Sequence, residues 1–187
     1  MSARAAGIRV VVLLLASLVA GCASIPVSTM LRLSSLDQQD LVQLDPAGVR
    51  VRVAVPAGFE IDVPETRLTL DLLNQAGKRD KGVFDLSLLR KQAAKRSGGL
   101  FRADIPVTVY DLALTPAAVT RFRQSQRFAL ASELKELNFA VNSKFASIPE
   151  SSRSVRFWAD LRLRESDSYM TLIDGAEIEF EFEQAGG

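Results

Sequence analysis

Residues 49–55, with the sequence VRVRVAV, and residues 155–164, with the sequence VRFWADLRLR, place an apolar side chain at almost every second position. Successive side chains of a β-strand point to opposite faces of its sheet, so this spacing predicts strands with one face in a core and the other in water. The same alternation occurs at 68–72, 84–88 and 178–182, and weaker strand candidates lie at 29–34, 59–63, 106–114, 137–145 and 169–173. Frequent strands joined by short turns favour a mainly β fold, either an antiparallel β-sandwich or a half-open barrel.

One segment interrupts the strands with a helical pattern. Thr115 offers a hydroxyl for the N-cap, and Pro116 follows at the first helical position, where a missing N–H is tolerated. Apolar residues then recur at roughly helical spacing, at Val119, Phe122, Ala129 and Leu130. The pattern predicts one packed α-helix near residues 116–134, lying across one face of the sheet or closing one end of it, and a shorter helical turn at 37–42.

The N-terminus has the features of an export signal. Arg4 and Arg9 lead into an apolar run at 10–20, which is too short to span a bilayer as a helix. The run ends in Leu18-Val19-Ala20-Gly21-Cys22, with two small residues directly before the cysteine. This motif resembles the lipobox of bacterial lipoproteins. The resemblance implies that residues 1–21 are a lipoprotein signal peptide that is removed, and that Cys22 becomes the lipidated N-terminus of the mature chain.

The residue that follows Cys22 bears on the destination of the chain. It is Ala23, whereas an Asp at this position commonly marks inner-membrane retention in the lipoproteins that the motif resembles. The resemblance therefore implies anchoring in the outer membrane, with the domain facing the periplasm. We expect residues 22–29 to form the lipidated N-terminus and a short tether, and residues 30–187 to form a single β-rich domain. Seven residues span at most ~25 Å when extended, so the domain is expected close to the membrane surface.

Composition excludes several classes of function. The chain has no histidine, and Cys22 is its one cysteine, so Ser-His-Asp catalysis, Cys-His catalysis and every histidine-containing zinc site are ruled out. We therefore expect no catalytic residue, no metal and no cofactor. Residues 1–21 contain two arginines and no acid, so 21 basic and 22 acidic residues remain in the mature chain. This balance argues against a dedicated nucleic-acid-binding protein, which would show a clearly basic domain.

A basic segment at 78–102 is the first candidate for binding. Its cations include Arg90, Lys91, Lys95 and Arg96, and only two acids oppose them within the segment. As a loop held near a membrane, it is suited to contact anionic lipid, lipopolysaccharide or an acidic partner. The alternative is a solvated loop whose charge keeps the protein soluble, which is the commoner role of a charged run.

Trp158 is the second candidate. In the alternation of its strand it falls on the charged face, together with Arg156, rather than with the apolar set. A tryptophan in that position is either covered by the helix or forms a platform for a partner. The acidic residues Glu177, Glu179, Glu181 and Glu183 also alternate, and we expect them to form an exposed strand face that pairs with basic neighbours such as Arg156.

Three classes of function are compatible with these features. The first is a non-catalytic envelope lipoprotein that binds a protein partner or an envelope polymer near the membrane. The second is a module that binds or transfers a lipid or other hydrophobic ligand, which requires a sheltered apolar pocket. The third is an enzyme that acts on glycans with carboxylates alone, which requires a cleft with two converging acids. The anchor and the missing catalytic residues favour the first.

The lipidation hypothesis makes a direct prediction for a Cys22→Ala variant. Without the thiol no acyl chain can be attached, and the buried methylenes of those chains supply most of the membrane affinity. The precursor is expected to escape processing by the lipoprotein pathway, and the protein to leave the detergent-extracted membrane fraction. Cell fractionation together with mass spectrometry of the N-terminus measures both effects. A variant that is still acylated and membrane-bound would contradict the hypothesis.

Overall fold

The computed structural model of the protein describes residues 36–98 and 103–179. These residues form seven strands, all paired antiparallel: β1 (Arg50–Pro56), β2 (Glu60–Asn74), β3 (Arg79–Arg96), β4 (Ile105–Leu114), β5 (Leu134–Ser147), β6 (Ser154–Arg162) and β7 (Met170–Glu179). The helices are α1 (Gln38–Gln43) and α2 (Pro116–Ala131), and a 3-10 turn at Pro46–Gly48 leads into β1. The strand order is β5-β2-β3-β4-β1-β6-β7.

Strand β3 gives the sheet its curvature, because its two halves pair with different neighbours. Residues 79–85 pair with β2, whereas residues 86–96 pair with β4 and contain a bulge between Leu88 and Arg90. A strand that changes partners turns a corner in the sheet. The edge strands β5 and β7 consequently approach each other without pairing. The fold is thus the predicted mainly β, antiparallel, half-open barrel with one main helix.

Most of the predicted elements are confirmed, and several of their bounds change. The candidates at 59–63 and 68–72 are parts of the single strand β2, which has an irregularity between Asp62 and Arg67. The basic segment at 78–102 is not a loop, because residues 79–96 form β3. The main helix ends at Ala131, three residues before its predicted end, and the turn expected at 37–42 is α1. The candidate strand at 29–34, the end of the strand at 178–182, and the signal and tether with Cys22 lie outside the described residues.

The inward faces of the strands and one face of α2 form a single apolar core. Phe122 of α2 is fully buried and packs against Phe84 of β3, with the ring centroids 5.0 Å apart. Leucines of β2 and valines of β1 that are also fully buried surround this pair. Thr115 caps the helix as expected, since its side chain accepts a hydrogen bond from the backbone N–H of Ala118. The interior is therefore filled by side chains from both layers.

A buried glutamine of α2 holds α1 in place. The side-chain amide of Gln126 donates to the backbone carbonyls of Leu41 at 2.9 Å, Val42 at 3.3 Å and Leu44 at 2.7 Å. These carbonyls lie at the end of α1, where a helix lacks internal partners. A helix of six residues is unstable by itself, so its position depends on this side chain and on the burial of Leu41.

Gly82 provides a test of how tightly this core is packed. A Cβ at position 82 would lie 2.3 Å from Cζ of Phe84, whose ring is fully buried. Gly82→Ala is therefore expected to displace that ring and to lower the free energy of unfolding by about 1–3 kcal/mol, the usual cost of overpacking. Urea denaturation measures the change.

Gly48→Ala is the matched control, because a Cβ there would meet nothing within 4 Å. This second variant is expected to be as stable as the parent or slightly more stable, because alanine restricts the unfolded chain. Equal stability of the two variants would contradict the packing described here.

Candidate functional site

The surface of the sheet that faces away from the core is here called the outer face. Antiparallel register brings together side chains from four adjacent strands, at Arg90, Gln92, Ala94 and Arg96 of β3, Ile105, Val107, Val109 and Asp111 of β4, Arg50, Arg52 and Ala54 of β1, and Arg156, Trp158, Asp160 and Arg162 of β6. The set contains six arginines and two aspartates. Charge of one sign is therefore concentrated on a chain that is almost neutral as a whole.

Both aspartates of the outer face are already engaged by arginines. Asp111 accepts from Nε of Arg52 at 2.8 Å through one oxygen and from Nη2 of Arg90 at 3.0 Å through the other. Asp160 accepts from Arg96 and from the hydroxyl of Thr171. Burial by itself would raise the pKa of Asp111, but the hydrogen bonds and charges of Arg52 and Arg90 outweigh it and hold that pKa below its ordinary value.

A shallow groove with an apolar floor lies at the end of the outer face that holds Arg96 and Trp158. Its volume is about 390 Å³, and its lining combines small apolar side chains with cations, at Arg52, Gln92, Ala94, Lys95, Arg96, Ser97, Val107 and Val109. Below it, Trp158 is only 5% exposed, and Arg96 lies over the indole ring with its Cζ 5.7 Å from the ring centroid. This surface is here called the apolar groove.

Trp158 is buried by elements other than the expected helix. The tryptophan packs with Ala54, Val107 and Val109 on the outer face, whereas the residues of α2 that are buried in the core belong to the other side of the sheet. A Cβ at Gly175 of β7 would lie 3.1 Å from the indole Nε1. Burial of the indole by Arg96 and β7 therefore replaces the expected burial by the helix, and the ring presents no open platform.

A second depression, here called the arginine cluster, lies at the other end of the same face. It has a volume of about 280 Å³ and is lined by Arg50, Arg52, Leu89, Arg90, Asp111, Arg162 and Tyr169. The ring of Tyr169 is shared by two guanidinium groups, with Cζ of Arg52 4.0 Å and Cζ of Arg162 5.2 Å from the ring centroid. Four arginines here face one carboxylate, so an excess of positive charge is held in a fixed geometry.

The candidates from the sequence are divided between the two faces of the sheet. Arg90 and Arg96 lie on the outer face, and Lys95 lines the apolar groove. The bulge at Leu88–Arg90 reverses the alternation, so Lys91 lies opposite Tyr110 and points to the core side of the sheet. There Nζ of Lys91 lies 2.5 Å from Oε1 of Glu60, and this hydrogen bond raises the pKa of Lys91.

Arg156 lies at the end of the outer face away from the arginine cluster. It stands directly opposite Glu177 of β7, as the pattern of alternating acids led us to expect. Glu179 lies opposite Ser154, whose hydroxyl donates to Glu177. Glu181 and Glu183 lie outside the described residues. A binding role for Arg156 stays a prediction.

Arg50, Arg52, Arg162 and Tyr169 did not stand out as binding residues in the sequence. The alternation predicts the three arginines on solvent-facing sides of their strands, and this placement is confirmed. Their convergence depends on the pairing of β1 with both β4 and β6, which joins segments more than fifty residues apart. The local pattern carries no signal for that pairing.

The pairing of Asp111 with two arginines makes a pH-dependent prediction. Its pKa is lowered in the folded state, so its stabilising contribution is present above about pH 4, the unfolded value, and is lost as the pH falls through the folded pKa. Asp111→Asn is expected to lower the free energy of unfolding by about 1–3 kcal/mol at pH 7, and this effect is expected to shrink as the pH falls below about 4. Urea denaturation at a series of pH values measures the change.

Asp85→Asn serves as the control for that experiment. Asp85 pairs with Arg67 at 2.7 Å, but its side chain is 61% exposed, and exposed ion pairs contribute less than about 1 kcal/mol. An effect of Asp111→Asn at pH 7 no larger than that of the control, or one that does not shrink as the pH falls below about 4, would contradict the assignment.

Three further observations complete the description of the site. No helix within residues 36–98 and 103–179 is long and apolar enough to cross a membrane. In the same residues, no group of three or more cysteine or carboxylate side chains is placed to hold a metal ion. Comparison of the chain with family models, with curated proteins and with solved structures finds no match in any of the three. Inference about function therefore starts from the outer face itself.

Proposed function

We propose that this protein is a lipid-anchored, non-catalytic binding protein of the bacterial cell envelope, and that its outer face binds an anionic protein or polymer of the envelope close to the membrane. The observation that carries the proposal is the concentration of six arginines on one face of an otherwise nearly neutral chain. A face with a net positive charge attracts negatively charged partners and orients them as they approach.

The composition of the apolar groove supports a binding role. Arginine, tyrosine and tryptophan are the residues that most often dominate binding energy at interfaces, and here arginine surrounds an apolar floor of Val107 and Val109. Because Arg96 is held by Asp160 and by the indole of Trp158, its side chain is ordered before a partner arrives. Less entropy is then lost on binding.

The two other classes of function receive less support from the described residues. A module for hydrophobic ligands needs a sheltered cavity, but side chains such as Phe84 and Phe122 fill the interior of the half-barrel. A carboxylate enzyme needs two acids that converge on one bond. On the outer face, Asp111 and Asp160 are each held by arginine instead.

A photo-crosslinking residue in place of Gln92 tests the proposal in cells that express the full chain. Gln92 lines the apolar groove without adding charge, so a crosslinker there samples the outer face and leaves its arginines intact. Capture of an acidic envelope protein or polymer is expected from position 92. Capture is expected to fall when Arg156→Glu reverses one charge of the outer face.

The control is the same crosslinker in place of Leu130, which is 64% exposed on α2. Mass spectrometry of the captured material identifies its chemistry. Equal capture from positions 92 and 130, or capture at position 92 that Arg156→Glu leaves unchanged, would contradict the proposal.

A further inference from the structure

We infer that the arginine cluster binds the phosphate group of an anionic lipid headgroup in the membrane that holds the protein's anchor. The inference rests on the proposed function and names the ligand for one end of the outer face. It concerns the arginine cluster rather than the apolar groove, so the two surfaces can be tested separately.

Two arginines of the cluster are placed against each other without an acid between them. Arg50 and Arg162 are direct cross-strand partners in the pairing of β1 with β6, and side chains in such pairs start only ~4.5–5.5 Å apart at Cβ. Nη1 of Arg50 donates to the carbonyls of Ala47 and Val49, and the guanidinium of Arg162 lies over the ring of Tyr169. In the part of the chain that the structure describes, neither guanidinium has a carboxylate within ion-pair distance. An anion from outside the chain would supply the counter-charge that both arginines lack.

Arg162 also has a hydrogen-bond donor without an acceptor. Its Nε is buried, and no acceptor among residues 36–98 and 103–179 bonds to it. A buried donor left unsatisfied is costly and uncommon in folded proteins. The Tyr169 ring, shared with Arg52, fixes the plane of the guanidinium. A guanidinium fixed in this way binds the oxygens of phosphate through paired N–H groups.

The neighbours of the cluster favour a lipid over a soluble phosphate compound. Leu89, the bulged residue of β3, lines the cluster and is 58% exposed. Exposed apolar side chains next to cations are typical of surfaces that lie in the membrane interface, where apolar groups enter the lipid and cations meet phosphates.

The cluster also lies at the end of the sheet from which the chain leads back to Cys22. Nη1 of Arg50 donates to the carbonyl of Ala47, in the turn that follows α1. Arg164, just after β6, pairs with Asp40 of α1 at 2.6 Å. Leu36, the first residue before α1 that the structure describes, is fourteen positions after Cys22, so the two are at most ~50 Å apart along an extended chain. An anchor at Cys22 therefore keeps the cluster within reach of the membrane surface.

The experiment uses the full lipidated chain with Leu89→Cys, labelled with an environment-sensitive fluorophore. Cys22 is the only cysteine of the chain and is blocked by acylation under the proposed function, so the label is confined to position 89. The protein is incorporated into vesicles of phosphatidylcholine alone, with added phosphatidylglycerol, or with oleate that gives the same negative charge. Flotation reports attachment through the anchor, and a blue shift of the label reports docking of the cluster.

A blue shift with phosphatidylglycerol that is much weaker with oleate is the expected result. Arg162→Gln is expected to lower the ratio of docked to undocked protein about fivefold, the effect of one cation near an anionic surface. Arg127→Gln is the matched control, because it removes the same charge from an exposed position of α2, outside the outer face, and is expected to leave the ratio unchanged. If Arg162→Gln does not fold, Arg50→Gln takes its place.

Three outcomes would overturn the inference. Equal shifts with oleate and phosphatidylglycerol would show attraction to the negative charge of the vesicle without recognition of the anionic phospholipid headgroup. Equal losses in Arg162→Gln and Arg127→Gln would show an effect of total charge and not of the arginine cluster. Flotation without any shift would contradict docking of the cluster while the anchor of the proposed function stands, whereas failure to float would contradict that anchor and the inference with it.

Discussion

The structure depends on the way in which β3 divides its pairing between two neighbours. Residues 79–85 pair with β2 and residues 86–96 with β4, so the sheet bends around one continuous strand and encloses the rings of Phe84 and Phe122. The same strand carries the bulge between Leu88 and Arg90. Because the bulge reverses the side-chain alternation, Arg90 reaches the outer face and Leu89 is left exposed. The core and the arginine cluster therefore share one structural origin.

Local patterns predicted the elements well and their assembly poorly. The alternation at 49–55 and 155–164 predicts strands and places Arg52 and Arg162 on polar faces, and both features are confirmed. Which strands lie side by side depends on pairings between distant segments, and no short window of sequence encodes them. Within the basic segment the alternation at 84–88 predicts the middle of β3, but the charged residues on either side of it carry no apolar period, and the bulge breaks the period-two pattern that would place Lys91.

On the outer face, some arginines are paired with aspartates and two neighbouring arginines are not. The side chains of Asp111 and Asp160 are largely buried, and each is paired with arginine side chains that are 24–61% exposed. Arg50 and Arg162 stand opposite each other without such an acid. In natural sequences, local propensity, packing and charge pairing usually favour the same structure. Positions where one of these is missing are often functional. The difference between the paired and the unpaired arginines is therefore more informative about function than the total charge of the face.

An anchored protein does not need a deep or tight site for lipid. Attachment at Cys22 would hold the domain near the membrane, so contact between the arginine cluster and a headgroup becomes an intramolecular event with an effective concentration on the order of millimolar or above. A shallow depression with four guanidinium groups and an exposed leucine is sufficient at that concentration. Docking by this end of the sheet would also fix the orientation of the domain, because the apolar groove lies at the other end of the same face. The groove would then be displayed beside the membrane, in reach of partners held at its surface.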